Sequence, residues 1–254
     1  MVSDSIPSAV QKTTGGSSTL DGTSDGRQSK SGLAPVITVD GPSGSGKGTI
    51  ACAVAEQLGF YFLDSGALYR LVALASLNRR VAADDSSALV ELATTAPMEF
   101  RRGACGDSTV LLGGQDVTQE LRQEEVGNRA SRIATIGALR DALLDRQRRW
   151  RRMPGLVADG RDMGTVVFPD AMLKIYLTAS AKIRAERRHK QLIEKGIEAN
   201  IGGLLADIVE RDHRDYNRPI APLACAEDAV EIDSSHQTID EVVTKVLDFA
   251  RNRL

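Results

Sequence analysis

Val36-Ile37-Thr38-Val39-Asp40-Gly41-Pro42-Ser43-Gly44-Ser45-Gly46-Lys47-Gly48-Thr49 decides the fold. Val36–Asp40 reads as a short buried strand, and a helix over 49–58 follows with apolar spacing at Ile50, Val54 and Leu58. Between them, Gly41, Pro42, Ser43, Gly44, Ser45, Gly46, Lys47, Gly48 and Thr49 form a turn whose backbone N–H groups can converge on phosphate oxygens. The helix N-terminus adds positive potential, and Lys47 can reach the β and γ phosphates. The position after the lysine usually carries a hydroxyl; here it is Gly48, and the hydroxyl arrives one residue later at Thr49. The stretch predicts binding of a nucleoside triphosphate.

Outward from this loop, strands and helices alternate. Phe60–Leu63, Leu156–Ala158, Leu173–Leu177 and Val230–Ile232 read as further short apolar strands, with helices over Gly66–Leu77 and Ile239–Leu254. Continuous apolar strands alternating with helices predict an α/β fold with a five-stranded parallel sheet flanked by helices. Between Pro97 and Val117 the pattern turns short and strand-like, predicting an inserted antiparallel subdomain over about 92–133 within a core of 33–91 and 134–254. Residues 1–32 are more than half Ser, Thr and Gly, and predict a disordered tail.

Composition removes several classes of function. A formal net charge of −2 over 254 residues argues against a general nucleic-acid or membrane-surface binder. No apolar stretch approaches a membrane span of ~20 residues. Cys52, Cys105 and Cys225 are scattered, suggesting buried reduced thiols in a cytoplasmic protein rather than a disulfide framework or zinc site. The basic run Arg146–Arg152 reads as an exposed helix end anchored by Trp150. No guanine-reading N-K-x-D motif is present.

Three groups of charged residues remain. Leu63-Asp64-Ser65-Gly66-Ala67-Leu68-Tyr69-Arg70 ends the second strand, placing Ser65 and Arg70 near the cradle as phosphate ligands, unless Asp64 or Ser65 merely caps a helix and Arg70 faces water. Leu156–Asp159 is an apolar strand ending in aspartate, so Asp159 can hold Mg²⁺ directly or through water. Gly160 and Gly164 flank Arg161 and Asp162, where the backbone can approach a ligand. Arg184, Arg187 and Arg188 share one helix face, and Arg211, Arg214, Asp215 and Arg218 share another. Such faces either close over a transferring phosphoryl group or are solvated.

The G-K-G-T ending resembles that of nucleoside monophosphate kinases. Together with Asp64–Arg70, Asp159–Pro169 and Glu210–Arg218, it resembles the bacterial cytidylate kinases from about Pro35 to Arg251. The resemblance implies a P-loop kinase fold and ATP-dependent phosphorylation of CMP and dCMP with Mg²⁺, in pyrimidine nucleotide metabolism, by a cytoplasmic monomer. It implies that the insert binds CMP and that a lid spans about 180–196. Ser65, Arg70, Ser131, Arg140, Arg161, Asp162, Arg211, Asp215 and Arg218 would contact CMP. Asp162 would accept from the cytosine amino group, Arg140 and Ser131 would donate to O2 and N3, Arg211 and Asp215 would hold the sugar, and Arg70, Arg161 and Arg218 the phosphate. Lys47, Arg161, Arg184 and Arg188 would act in catalysis, with Thr49 and Asp159 toward the metal. A kinase for AMP, UMP or shikimate, and a nucleotide-dependent switch or RNA-binding module, are the rival readings.

Overall fold

The elements run β1 (Val36–Asp40), α1 (Lys47–Leu58), β2 (Tyr61–Asp64), α2 (Ser65–Asn78), α3 (Ser86–Thr95), β3 (Met98–Arg101), β4 (Thr109–Leu112), β5 (Gln115–Asp116), α4 (Glu124–Ile133), α5 (Gly137–Arg148), β6 (Leu156–Gly160), β7 (Leu173–Thr178), α6 (Ala181–Glu194), α7 (Ile201–Asn217), β8 (Val230–Asp233) and α8 (Ile239–Arg251) in a computed structural model. The structure describes residues 32–101, 109–194 and 196–254. The tail expected over 1–32 lies outside them except for Gly32, as does Cys105. Leu33–Leu254 forms one compact unit.

Every residue of β1 and of β6 is buried, as a strand covered by helices on both faces must be. The sheet order is β2-β6-β1-β7-β8, with all four pairings parallel. All five expected strands are present, four of them reaching one or two residues further toward the carboxyl end. Register places Val39 beside Asp159, Asp40 beside Gly160, and Asp64 beside Asp159. Three carboxylates from adjacent strands therefore share the carboxyl edge, where open α/β sheets bind ligands.

One sheet face packs Ile37, Val39 and Ile175 against Ile50 and Val54 of α1 and Val243, Val246 and Leu247 of α8. The other packs Val36, Leu63 and Leu156 against Leu68, Met163 and Phe168. The small antiparallel sheet β3-β4-β5 forms where the insert was expected. Its Val110, with the following Val117, shares an apolar cluster with Leu71 and Val72 of α2, Leu89 of α3 and Leu139 and Leu143 of α5. The insert thus shares one apolar cluster with the core, to which its own Leu121, Val126 and Ile133 also contribute.

Two smaller expectations change. α5 ends at Arg148, so Trp150 lies beyond the helix, edge-on to Phe100, while Arg148 and Arg151 donate to backbone carbonyls of Val167 and Ala34. Arg148, Arg149 and Arg152 are nonetheless exposed and Trp150 anchors the run as expected, so the change is that the run continues past the helix. Cys52 is half-buried and Cys225 is exposed, where buried thiols were expected.

Candidate active site

Lys47 begins α1 directly after Gly46, whose φ of 92° is the left-handed turn that lets the loop enter the helix. Its ammonium folds back over the loop, donating to Pro42 O at 3.1 Å and lying 4.0 Å from Asp159 Oδ1. Burial, aided by Arg161 and Arg211 and opposed by Asp159, lowers the Lys47 pKa to about 8. Burial likewise pushes Asp159 up to about 7, against the pull of Lys47. An ammonium short of negative charge at a glycine-rich loop suits a polyphosphate.

Asp159 Oδ1 is buried without a hydrogen-bond partner, and Oδ2 lies 3.1 Å from where a side chain on Gly48 would begin. A side chain after Lys47 would thus crowd this carboxylate. Among the described residues no cluster of three or more His, Cys, Asp or Glu forms a metal cage. One free carboxylate oxygen beside phosphates and water fits Mg²⁺, which keeps several waters and rarely needs an all-protein cage. Thr49 is exposed on the first turn of α1.

Across the carboxyl edge, Arg70, Arg161 and Arg211 gather from distant segments. Asp64 caps α2, accepting Ala67 N at 3.0 Å, and Ser65 is buried against Gly160. Arg70, half-buried, donates to Leu121 O at 2.7 Å, so both alternatives for this segment hold in part: a capped helix and a guanidinium turned inward. The heads of Arg70 and Arg211 converge near Gly127 of α4, Nη2 and Nη1 lying 3.9 and 3.7 Å from a Cβ placed there. Arg211 Nε is buried without a partner, and burial with Arg161 and Arg70 nearby lowers its pKa to about 10. Arg161 Nε donates to Asp215 Oδ2 at 2.7 Å. Burial and Arg161 also lower Arg70. These cations repel one another unless an anion joins them.

Asp162 is 4% exposed and forms a close ion pair with Arg140, with Arg218 Nη2 at 3.5 Å on its other oxygen. Arg140 also stacks over Tyr69, its head 5.7 Å from the ring centroid. Arg218, assigned to a phosphate by the resemblance, lies beside Asp162 and has Asp215 nearby as well. Ser131, on α4, keeps a buried hydroxyl with no partner. Side chains at Gly160 and Gly164 would strike Ser65 Oγ at 2.7 Å and Thr38 Oγ1 at 2.8 Å, so close packing of the protein already calls for glycine at both.

The face of α6 divides. Arg184, expected in catalysis, is 4% exposed and donates to Ser43 O and Ala179 O at 2.9 Å and to Asp212 Oδ1 at 3.0 Å. It braces the phosphate loop, with four of its five N–H donors committed to protein oxygens. Arg187 bonds the Ser234 hydroxyl at 3.2 Å. Only Arg188 turns toward the arginine cluster, pairing through Nε with Glu124 of α4 at 3.0 Å. Sequence reasoning missed Asp40, Asp212 and Glu124, since each acts on a partner far along the chain.

A strand–glycine loop–helix cradle with a buried aspartate on the adjacent strand and arginines across the sheet edge defines a P-loop kinase. The cytidylate kinase family model matches residues 37–252. A cytidylate kinase of Burkholderia multivorans (strain ATCC 17616 / 249) is 58% identical over 217 residues, covering 85% of this chain and 93% of its own. One from Aeromonas salmonicida (strain A449) is 54% identical over 222 residues, covering 87% and 96%. The chain belongs to the cytidylate kinase family. Among solved structures, a gluconokinase from Sinorhizobium meliloti 1021 aligns over 86% of this chain and 93% of its own at 18% identity and a TM-score of 0.44.

Proposed function

We propose that the protein transfers the γ-phosphoryl group of ATP to CMP and dCMP, giving CDP and dCDP, by in-line displacement. The observation that carries this reading is the Asp162 carboxylate, buried and held from two sides by Arg140 and Arg218. A fixed acceptor suits the cytosine N4 amino group, which uracil lacks. Family membership points the same way.

Lys47 holds the donor's β and γ oxygens. Arg70 and Arg211 take the acceptor phosphate, and Arg161, oriented by Asp215, reaches between the two. Arg188 leaves Glu124 to meet the transferring group, while Arg184 keeps the loop in shape. Ser65 adds a hydroxyl at the phosphate end and Ser131 at the base end, with Asp215 also toward the sugar. Mg²⁺, held by Asp159 and its waters, supplies charge neutralisation and alignment of the phosphates. The CMP oxygen is already an anion, so no strong base is required, and catalysis is positioning and electrostatics. Excluding water by closure over the site prevents hydrolysis of the donor.

The test is ADP release with CMP, dCMP, UMP, AMP and GMP as acceptors at saturating ATP and Mg²⁺. CMP and dCMP should lead; equal or greater turnover with AMP or GMP rejects the reading.

A further inference from the structure

Two backbone amides of the turn that carries Asp162 hang on one carboxylate at the end of the cradle strand. Asp40 is the last residue of β1, adjacent to Gly41 of the phosphate loop, and is 5% exposed. Its Oδ1 accepts Met163 N at 2.9 Å and its Oδ2 accepts Gly164 N at 2.7 Å. Met163 and Gly164 open a π-helical turn, Met163–Val167, whose first amides have no carbonyl within the turn to bond. Asp162 precedes it and accepts the amides of Val166 and Val167 through its carbonyl, at 2.9 and 3.1 Å. The peptide group that follows Asp162 is thus held at both its carbonyl and its amide.

The turn has little freedom to settle elsewhere. A Cβ on Gly164 would stand 2.8 Å from Thr38 Oγ1 and 3.1 Å from Lys174 Cδ, so the backbone lies hard against β1 and β7. Among the described residues Asp40 has no ion pair. Burial raises its carboxyl to about 6 even with both amides bound, which marks it as a group held in place against its solvation. A residue needed only to fill this space would be apolar.

We propose that Asp40 is a positioning residue for acceptor-base selection, fixing the Met163 and Gly164 amides and so the direction of the Asp162 carboxylate. This rests on the reading of Asp162 as the cytosine contact. It also makes the cradle strand and the acceptor-reading turn one rigid piece, so that base recognition is registered against the donor phosphates.

Asp40→Asn keeps the shape but turns an amino group toward one of the two amides, losing one hydrogen bond and opposing two donors. It should raise the KM for CMP about tenfold, leave the KM for ATP within about twofold, and narrow the CMP-over-UMP ratio of kcat/KM at least about fivefold. Thr38→Val, a neighbouring buried change on the same strand whose hydroxyl has no partner, should leave that ratio unchanged. A folded Asp40→Asn with the wild-type ratio overturns the proposal, as does a Thr38→Val that shifts the ratio equally. Should Asp40→Asn not fold, Asp40→Glu, which keeps the charge and displaces the turn, takes its place with the same expected narrowing; if neither folds, Asp40 serves folding and the proposal fails. Asp162→Asn separates the two layers. If it leaves the ratio untouched, the reading of Asp162 falls and this inference with it; if it narrows the ratio and Asp40→Asn does not, only the inference falls.

Discussion

The Asp159 carboxylate occupies the space that a side chain at position 48 would need: Oδ2 lies 3.1 Å from the Cβ that Gly48 lacks. The first turn of α1 and the end of β6 are therefore closely fitted, and a side chain after the cradle lysine would crowd the carboxylate. A contact that tight moves one partner by a few tenths of an ångström.

Gly48→Ala tests that fit. Alanine gains up to about 1 kcal/mol of helix propensity in α1, which roughly offsets the crowding, so the melting temperature should shift by only a few degrees. Activity should fall by about tenfold or more, because Asp159 is pushed from its place beside Lys47 and the phosphates. Wild-type kcat in Gly48→Ala would show that the position of Asp159 is not critical.

Lys47→Ala should stay folded and lose about 10²–10³ in kcat, the usual cost of one well-placed electrostatic contact in phosphoryl transfer. Retained turnover above about a tenth of wild type would reject the cradle assignment.

Lys47 also predicts a pH dependence of stability. Its folded pKa, about 8, lies below the ordinary 10.5, so below pH 8 the fold carries the full cost of a buried ammonium. As pH rises from 8 to 10.5 the folded protein releases its proton first and that cost fades. Asp159, raised to about 7, moves the comparison in the same direction: without the lysine its carboxylate becomes costlier as pH rises. Lys47→Met should thus melt a few degrees above wild type near pH 7, with the gap closing toward pH 10. Thermal melts of both proteins across that range check it, and a gap that is constant or negative at pH 7 contradicts it.

Arg184 and Arg188 should separate stability from catalysis. Arg184→Ala strands Asp212 and releases two backbone carbonyls in a nearly buried site, and should cost about 2–4 kcal/mol. Arg188→Ala breaks a pair whose glutamate side chain is 51% exposed, worth under about 1 kcal/mol, so melting should hardly change while kcat falls. Equal thermal losses in the two variants, or undiminished kcat in Arg188→Ala, would reverse these assignments.

Asp162→Asn should narrow the CMP-over-UMP preference by losing CMP activity. Taken from the sequence alone, Arg140→Ala would weaken both acceptors evenly through O2. The close Arg140–Asp162 pair changes that expectation, because removing Arg140 frees the carboxylate it holds. Arg140→Ala should narrow the ratio as well, and the double variant should fall short of the product of the two single effects. Strict additivity in kcat/KM would show the two act independently.

What the sequence determined by itself is local: a strand, a glycine-rich loop and a helix within 36–58, and four more short, largely apolar strands alternating with helices. Lys47, Asp159, Asp162 and the arginine clusters stood out because their residue types and spacing are unusual within a few turns of chain. The antiparallel insert was legible too, from short strands bounded by turn residues. Which arginine does what was not legible. Helical spacing put Arg184, Arg187 and Arg188 on one face, yet their partners lie in four other segments, and only packing decided that Arg184 braces the loop through Ser43 and Asp212 while Arg188 faces Glu124. Asp40 was read as the end of a strand; its bonds to Met163 and Gly164 span 123 and 124 residues. Periodicity reports which side of an element is buried, but a buried polar group takes its role from whatever the fold brings opposite it.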